Sequence, residues 1–144
     1  MFDINSYDDL MKFGEEEKWQ NFEKLVGFIF EEHGFSVIQN KVVVFKDRRK
    51  RQYDVIAEGF DKVYLVECKK WGNGRYKSSA LKKSAIDHYK RSYMYREVSN
   101  KKVVPLIVVL HDEDILFYER IPLVPVFKLN SFLSKIEEYN LSSL

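Results

Sequence analysis

The sequence predicts an α/β fold, a central mixed sheet of about five strands flanked by helices. Three observations predict it. Segments with apolar residues at three- and four-residue steps alternate with extended apolar segments in the order helix, three strands, helix, strand, strand, helix. The run from Val103 to Leu110, eight residues with no charge, has the composition of a central strand buried on both faces. Two short apolar segments, Tyr53 to Glu58 and Val63 to Cys68, flank Gly59-Phe60-Asp61-Lys62, which marks a hairpin.

Each element follows from its residues. Glu15, Glu16 and Glu17 place negative charge at a helix N-terminus, and Trp19, Phe22, Val26, Ile29 and Phe30 continue one apolar face. Gly34 is the expected left-handed stop. Phe35 to Phe45 is the first strand, a basic loop follows, and the hairpin supplies strands two and three. Gly72-Asn73-Gly74 interrupts the pattern, and Ser78 or Ser79 then caps a long helix through Leu81, Ala85, Tyr89 and Arg96. After the Val103 strand, Ile115 to Glu119 forms another. Pro122 and Pro125 mark an irregular crossing, and Asn130 or Ser131 caps a last helix carrying Phe132, Ile136 and Tyr139.

Composition bounds the function. With 144 residues, 45% hydrophobic and 32% charged, the chain reads as a single domain, residues 1–144, too apolar for a disordered protein. Its longest apolar run falls far short of the roughly 20 residues that cross a bilayer, and the early Asp3, Asp8 and Asp9 have the wrong polarity for a signal peptide. The expectation is an intracellular, cytoplasmic protein without membrane contact. Cys68 is the one cysteine, and with only three histidines the chain offers no thiolate zinc site. The net charge of +2 hides a strong asymmetry: residues 69–102 hold eleven Lys or Arg against Asp87 and Glu97, whereas residues 1–34 hold nine acidic and three basic side chains. Lys46 to Arg51 places five cations in six residues, which favours a polyanion docking on one side or, alternatively, an ordinary solvated loop.

The hairpin carries the chemistry. With Glu58 opposite Val63, Ile56 faces Leu65 and Asp54 faces Glu67, with Lys69 directed to the same face. Opposed carboxylates destabilise a sheet unless a cation neutralises them or one stays protonated, and a divalent ion is the simplest answer. A solvated rim in which Lys69 offsets one carboxylate is the competing arrangement. Glu67 lies in the otherwise apolar Val63-Tyr64-Leu65-Val66-Glu67-Cys68, where an unpaired charge is costly.

Asp54 followed by Glu67-Cys68-Lys69 resembles the signature of the PD-(D/E)xK nuclease superfamily, an acidic residue on one strand and (D/E)-x-K on the next. The resemblance covers about residues 14–110, with the Phe22-Glu23 helix, Gly34, Tyr53-Asp54-Val55-Ile56-Ala57 and Leu65 to Trp71 in order; Tyr53 stands where the signature names proline. Archaeal Holliday-junction resolvases and the nuclease domains of modification-dependent restriction enzymes are the nearest in pattern. The resemblance implies a restriction-endonuclease-like core and an endodeoxyribonuclease that uses Mg²⁺, with Mn²⁺ substituting. It implies Asp54, Glu67 and the Cys68 backbone carbonyl as metal ligands, Lys69 as an aid to the attacking water or transition state, and Glu23 as the helix-borne acidic residue that completes the site. Arg48, Arg49, Lys50 and Arg51, just before the Asp54 strand, and Lys70, Trp71, Arg75 and Lys77, just after the motif, are candidate contacts to DNA. Lys82, Lys83, Lys90 and Arg91 are weaker ones. The partner is DNA, which implies a nucleoid-associated place in the cell, and a homodimer would serve where both strands are cut; Ile121 to Phe127, Leu141 and Leu144 are candidate dimer contacts, or part of the chain's own core. The rival readings are a non-catalytic nucleic-acid-binding or assembly module on the same fold, and an exonuclease or RNA-cleaving variant.

Overall fold

A computed structural model describes residues 22–69, 78–110, 115–118, 120–139 and 141–144. The element order is α1 (Phe22–Glu32), β1 (Ser36–Val44), β2 (Lys50–Gly59), β3 (Lys62–Lys69), α2 (Ser78–Ser99), β4 (Val103–Val109), β5 (Leu116–Tyr118) and β6 (Ile121–Pro125). A 3-10 turn (Val126–Lys128), α3 (Leu129–Ser134) and a second 3-10 turn (Ile136–Tyr139) follow. The sheet has six strands in the order β1-β2-β3-β4-β6-β5. β1, β2 and β3 form an antiparallel meander, β3 and β4 pair in parallel across the α2 crossover, β4 pairs in parallel with β6, and β5 pairs antiparallel with β6.

The expected α/β architecture is present, with one strand more than the sequence predicts. Pro122 and Pro125 do not mark an irregular crossing: they lie in β6, which is buried along its whole length. Both prolines lie toward the ends of the β4–β6 ladder, and Pro122 also pairs with Phe117 of β5. Pro122 precedes the first β4–β6 pair, Ile107 with Leu123, and Pro125 occupies the last, opposite Val109. The Ile121–Phe127 segment therefore packs mostly into the chain's own core, and Leu141 packs against it as well. The last helix also differs. It starts at Leu129, and neither Asn130 nor Ser131 caps it, because the preceding 3-10 turn already coils the chain and its Val126 carbonyl accepts the Leu129 N–H.

Two signals are realised as expected. Gly34 has φ 89°; its N–H reaches Glu31 O at 3.0 Å and the Phe35 N–H reaches Phe30 O at 3.2 Å, the paired bonds that close a helix on a left-handed residue. Between β2 and β3, Phe60 (φ 55°) and Asp61 (φ 60°) form a two-residue turn with both central residues left-handed, whose twist matches that of the strands. The acidic start of the first helix and Trp19 lie outside the described residues.

Two cores sandwich the sheet. On one face, Phe22, Leu25, Val26, Ile29 and Phe30 of α1 pack with Phe132 and Leu133 of α3 over Val55, Ala57, Tyr64, Val66, Val104, Leu106 and Val108. On the other, α2 contributes Leu81, Ala85 and Tyr95 against Ile56, Leu65, Val103, Ile107 and Val109. The buried α2 positions, Leu81, Ala85, His88, Ser92 and Tyr95, recur every three or four residues, so one stripe of this 22-residue helix faces the sheet.

Candidate active site at the β2–β3 fork

The β2–β3 register is the one the sequence predicts: Glu58 pairs with Val63, Ile56 with Leu65 and Val55 with Val66, which carries Asp54 to the level of Glu67. Pairing ends at Val55. On the other side of β2, Gln39 pairs with Val55 and Lys41 with Tyr53, but Asn40, at φ 52°, makes no pair with Asp54 between them. Side chains change face across this point. Val37 and Val55 pack with the α1 core, whereas Val43 and Tyr53, an even number of residues away, pack with the α2 core. One residue in each strand has left the alternation, and the residue in β2 is Asp54.

Asp54 uses that freedom to enter the gap in the ladder. Its Oδ2 accepts the Cys68 N–H at 2.9 Å, a backbone donor that a regular β2–β3 pair would have occupied. The Leu110 N–H bonds Lys69 O, so Lys69 turns its backbone toward β4 while Cys68 turns its own toward β2 and the fork. Glu67, with its side chain 14% exposed, lies on the α2 face, with Lys69 Nζ at 3.7 Å from Oε1 and Arg91 Nη1 at 3.3 Å from Oε2. Burial pushes the Asp54 carboxyl above the usual carboxylate range; the Cys68 N–H draws it back and the neighbouring Glu67 raises it further. The Cys68 thiol, buried on the α1 side, is pushed well above its ordinary value by burial and then by the charges of Asp54, Glu23 and Glu67, as befits an inert core residue.

Sequence reasoning missed part of the environment. His88, 2% exposed, donates Nε2–H to Leu65 O at 2.8 Å, because a carbonyl only accepts. Burial lowers its pKa to about 4, so its Nδ1, 3.6 Å from Glu67 Oε2 and without a hydrogen-bond partner among the described residues, carries a lone pair at neutral pH. Arg91 is the second omission in kind, having been read only as a weak phosphate contact. A signal existed: His88 and Ser92 are polar residues inside the apolar stripe of α2, and such residues need partners across the interface.

The other expected residues divide into three groups. Glu23 lies half-buried in the first turn of α1, near enough for its charge to act on Cys68, yet no three His, Cys, Asp or Glu side chains among the described residues group together as a metal-holding set. The basic run is split by the strand pleat. Arg49 and Arg51 line a groove of about 430 Å³ with Asp87, Lys90, Arg91 and Met94 of α2, whereas Arg48 and Lys50 are not among its walls. Asp47 turns back on Arg49, accepting from its backbone N–H at 3.1 Å and from its guanidinium. Lys70, Trp71, Arg75 and Lys77 lie outside the described residues.

The donor set suits a hard divalent cation. Two carboxylates converge, burial and the neighbouring Glu67 raise the Asp54 carboxyl, and Lys69 and Arg91 lie within ion-pair distance of Glu67. Among the described residues no helix is long and apolar enough to cross a membrane.

Comparison with known proteins agrees with this fold. The family model Mrr_cat, described as "Restriction endonuclease", matches residues 15–109. An uncharacterized protein of Archaeoglobus fulgidus is 33% identical over 123 residues, covering 85% of this chain and 94% of its own. Among solved structures, a protein of unknown function superposes with TM-score 0.51 at 26% identity over 60% of this chain; the match spans only 44% of that protein's length. The small subunit of the heterodimeric restriction endonuclease R.BspD6I shares the fold, with TM-score 0.54 over 91% of this chain and 78% of its own at 16% identity. With the family model spanning the helix, the fork and the ExK strand, the chain belongs to the PD-(D/E)xK, restriction-endonuclease-like superfamily.

Proposed function

We propose that this chain is a divalent-metal-dependent endodeoxyribonuclease that hydrolyses DNA phosphodiester bonds. The observation that carries the reading is the fork, where Asp54 leaves the sheet ladder to meet Glu67 beside Lys69. Asp54, Glu67 and the Cys68 carbonyl would hold Mg²⁺ or Mn²⁺. When bound, the ion supplies Lewis-acid polarisation of the phosphate and lowers the pKa of water.

The chain's own residues do the rest. Lys69, 36% exposed, places an ammonium beside Glu67, where it holds the attacking water or donates to the phosphate oxygens as they gain charge. Its part is electrostatic. Asp54 accepts from the Cys68 N–H, which fixes one carboxylate oxygen and leaves the other toward the site. Glu23 adds negative charge from α1 behind Cys68 and holds a water there. Arg49 and Arg51 grip the sugar–phosphate backbone and set its path past Glu67 without reading sequence, with Arg48, Lys50, Lys70, Trp71, Arg75 and Lys77 as outlying contacts. A homodimer would place two such sites on opposite strands.

The test is cleavage of plasmid, branched and single-stranded DNA and of RNA with Mg²⁺, Mn²⁺ or EDTA, comparing the wild type with Asp54→Ala and Lys69→Ala. Metal-dependent nicking of DNA lost in both variants is expected. Binding of DNA without cleavage under any ion, or equal cleavage by the variants, refutes the reading and leaves a binding module on this fold.

A further inference from the structure

Arg91 is held more firmly than its contact with Glu67 requires. Its Nη2 donates to the Gln52 carbonyl, its guanidinium lies 5.7 Å from the centroid of the Tyr53 ring, and the Tyr53 hydroxyl donates to the Arg91 carbonyl at 2.8 Å. These contacts fix the cation from both sides whether or not Glu67 is engaged. The Glu67 contact is long, Nη1 to Oε2 at 3.3 Å, and Nε is buried without a hydrogen-bond partner among the described residues. The same side chain, 31% exposed, also forms a wall of the basic groove with Arg49, Arg51 and Lys90. Arg91 thus stands between the carboxylates and the groove.

A fixed positive charge at that place opposes the binding of a metal ion. Asp54 and Glu67 carry at most two negative charges, and Lys69 and Arg91 already offset them. A divalent ion entering beside Glu67 would meet both cations across a few ångströms, where like charges repel strongly. A phosphate arriving through the groove reverses the balance, since it attracts the ion, Lys69 and Arg91 alike. We propose that Arg91 is a positioning residue that couples metal loading to nucleic acid, so that the free protein holds its ion weakly and the DNA-bound protein holds it tightly. The inference rests on the metal-dependent reading above. It assigns to a side chain outside the Asp54–Glu67–Lys69 signature the task of restricting the charged site to moments when substrate is present. Because coupling between two ligands is reciprocal, the ion must tighten DNA binding by the same factor.

The experiment is calorimetric titration of Ca²⁺ into the wild type, Arg91→Gln and Arg91→Lys, each alone and with a short DNA duplex checked intact afterwards on a gel. The duplex is expected to raise wild-type Ca²⁺ affinity about tenfold, within the usual range of coupling between sites. Arg91→Gln should bind Ca²⁺ more tightly than the wild type in the absence of DNA and show little coupling, and Arg91→Lys, which keeps the charge, should restore both wild-type features. A purely structural role for Arg91 would lower the melting temperature and leave the coupling factor unchanged. Wild-type affinity indifferent to DNA overturns the inference while leaving the metal site standing, a result that needs no variant to fold. Equal coupling in Arg91→Gln overturns it too. Absence of Ca²⁺ binding to the wild type with and without DNA overturns the metal-dependent reading and this inference together.

Discussion

Asp54 shows how a single residue can be held in a state that weakens the fold. Its carboxyl is partly buried, faces Glu67, and is raised above the usual carboxylate range, so its ionised form is disfavoured in the fold. Such strain persists at sites kept for function. Replacing Asp54 with Asn removes the charge and keeps an oxygen to accept the Cys68 N–H. Asp54→Asn is therefore expected to abolish cleavage and to raise stability, read as a higher melting temperature. Thermal denaturation at neutral pH in EDTA checks it, and a lower melting temperature would mean that the carboxylate is well solvated or already neutralised by Arg91. Added Mg²⁺ should stabilise the wild type and leave the Asn variant almost unaffected, because only the wild type retains the full ligand pair.

At the scale of elements, the fork is built by breaks in two strands that are otherwise regular. Asn40 supplies the break in β1 at φ 52°, a conformation that Asn adopts more readily than other residues bearing a Cβ. Asn40→Gly should hold stability within a few tenths of a kcal/mol, while Asn40→Val, with a branched side chain at a left-handed position, should cost about 1–2 kcal/mol; urea denaturation of the two variants separates these outcomes. Gly59 closes the other end of β2 against the ring of Phe35, the residue that follows Gly34. A Cβ there would lie 2.7 Å from Phe35 Cδ1 and 3.0 Å from Cε1, and that ring is fixed edge-on against Phe30, Phe60 and Tyr64, with centroids 5.2, 5.5 and 5.4 Å away. Gly59→Ala is expected to lose about 1–3 kcal/mol, as overpacking of a fixed neighbour does, in the same denaturation assay. Most of the elements could be read from the chain because their signals are local: the helical period to Phe30, Gly34 as a stop, and the hairpin whose turn fixes its register. β6 escaped because prolines at strand ends resemble a loop until the neighbouring strands are known. The true start of α3 escaped because a backbone carbonyl, invisible to side-chain patterns, does the capping.

Over the whole molecule, the site joins residues far apart in sequence, and this decided what was legible. Asp54, Glu67 and Lys69 lie within one hairpin, so their register followed from the turn; Arg91 and His88 reach Glu67 only through the docking of α2, 24 residues away in the case of Arg91. The charge asymmetry was legible as a sum but not as a surface, because the strand pleat decides which members of the basic run face the groove. Docking α2 also commits the molecule to a buried imidazole, and this sets how its stability responds to acid. His88 is desolvated between α2 and β3, and burial, more than any neighbouring charge, lowers its pKa from 6.5 to about 4. Between those values the unfolded chain binds a proton that the folded chain refuses, so the stability contributed by the neutral imidazole is complete above about pH 6.5 and drains away as pH falls toward 4. The full loss is about 3 kcal/mol from the linkage of 1.36 kcal/mol per pKa unit. Asp54 acts in the opposite sense, since its raised carboxyl takes up a proton in the folded state first and relieves its own strain on acidification. The wild type should accordingly lose stability from pH 6.5 to 4.5, and His88→Gln, which can still donate to Leu65 O, should be less stable at pH 7 but show a flatter profile. Asp54→Asn should steepen the profile by removing the opposing term. Urea denaturation midpoints across that window decide the matter: parallel curves for the wild type and His88→Gln would show that His88 is not the group whose protonation unlocks α2 from the sheet.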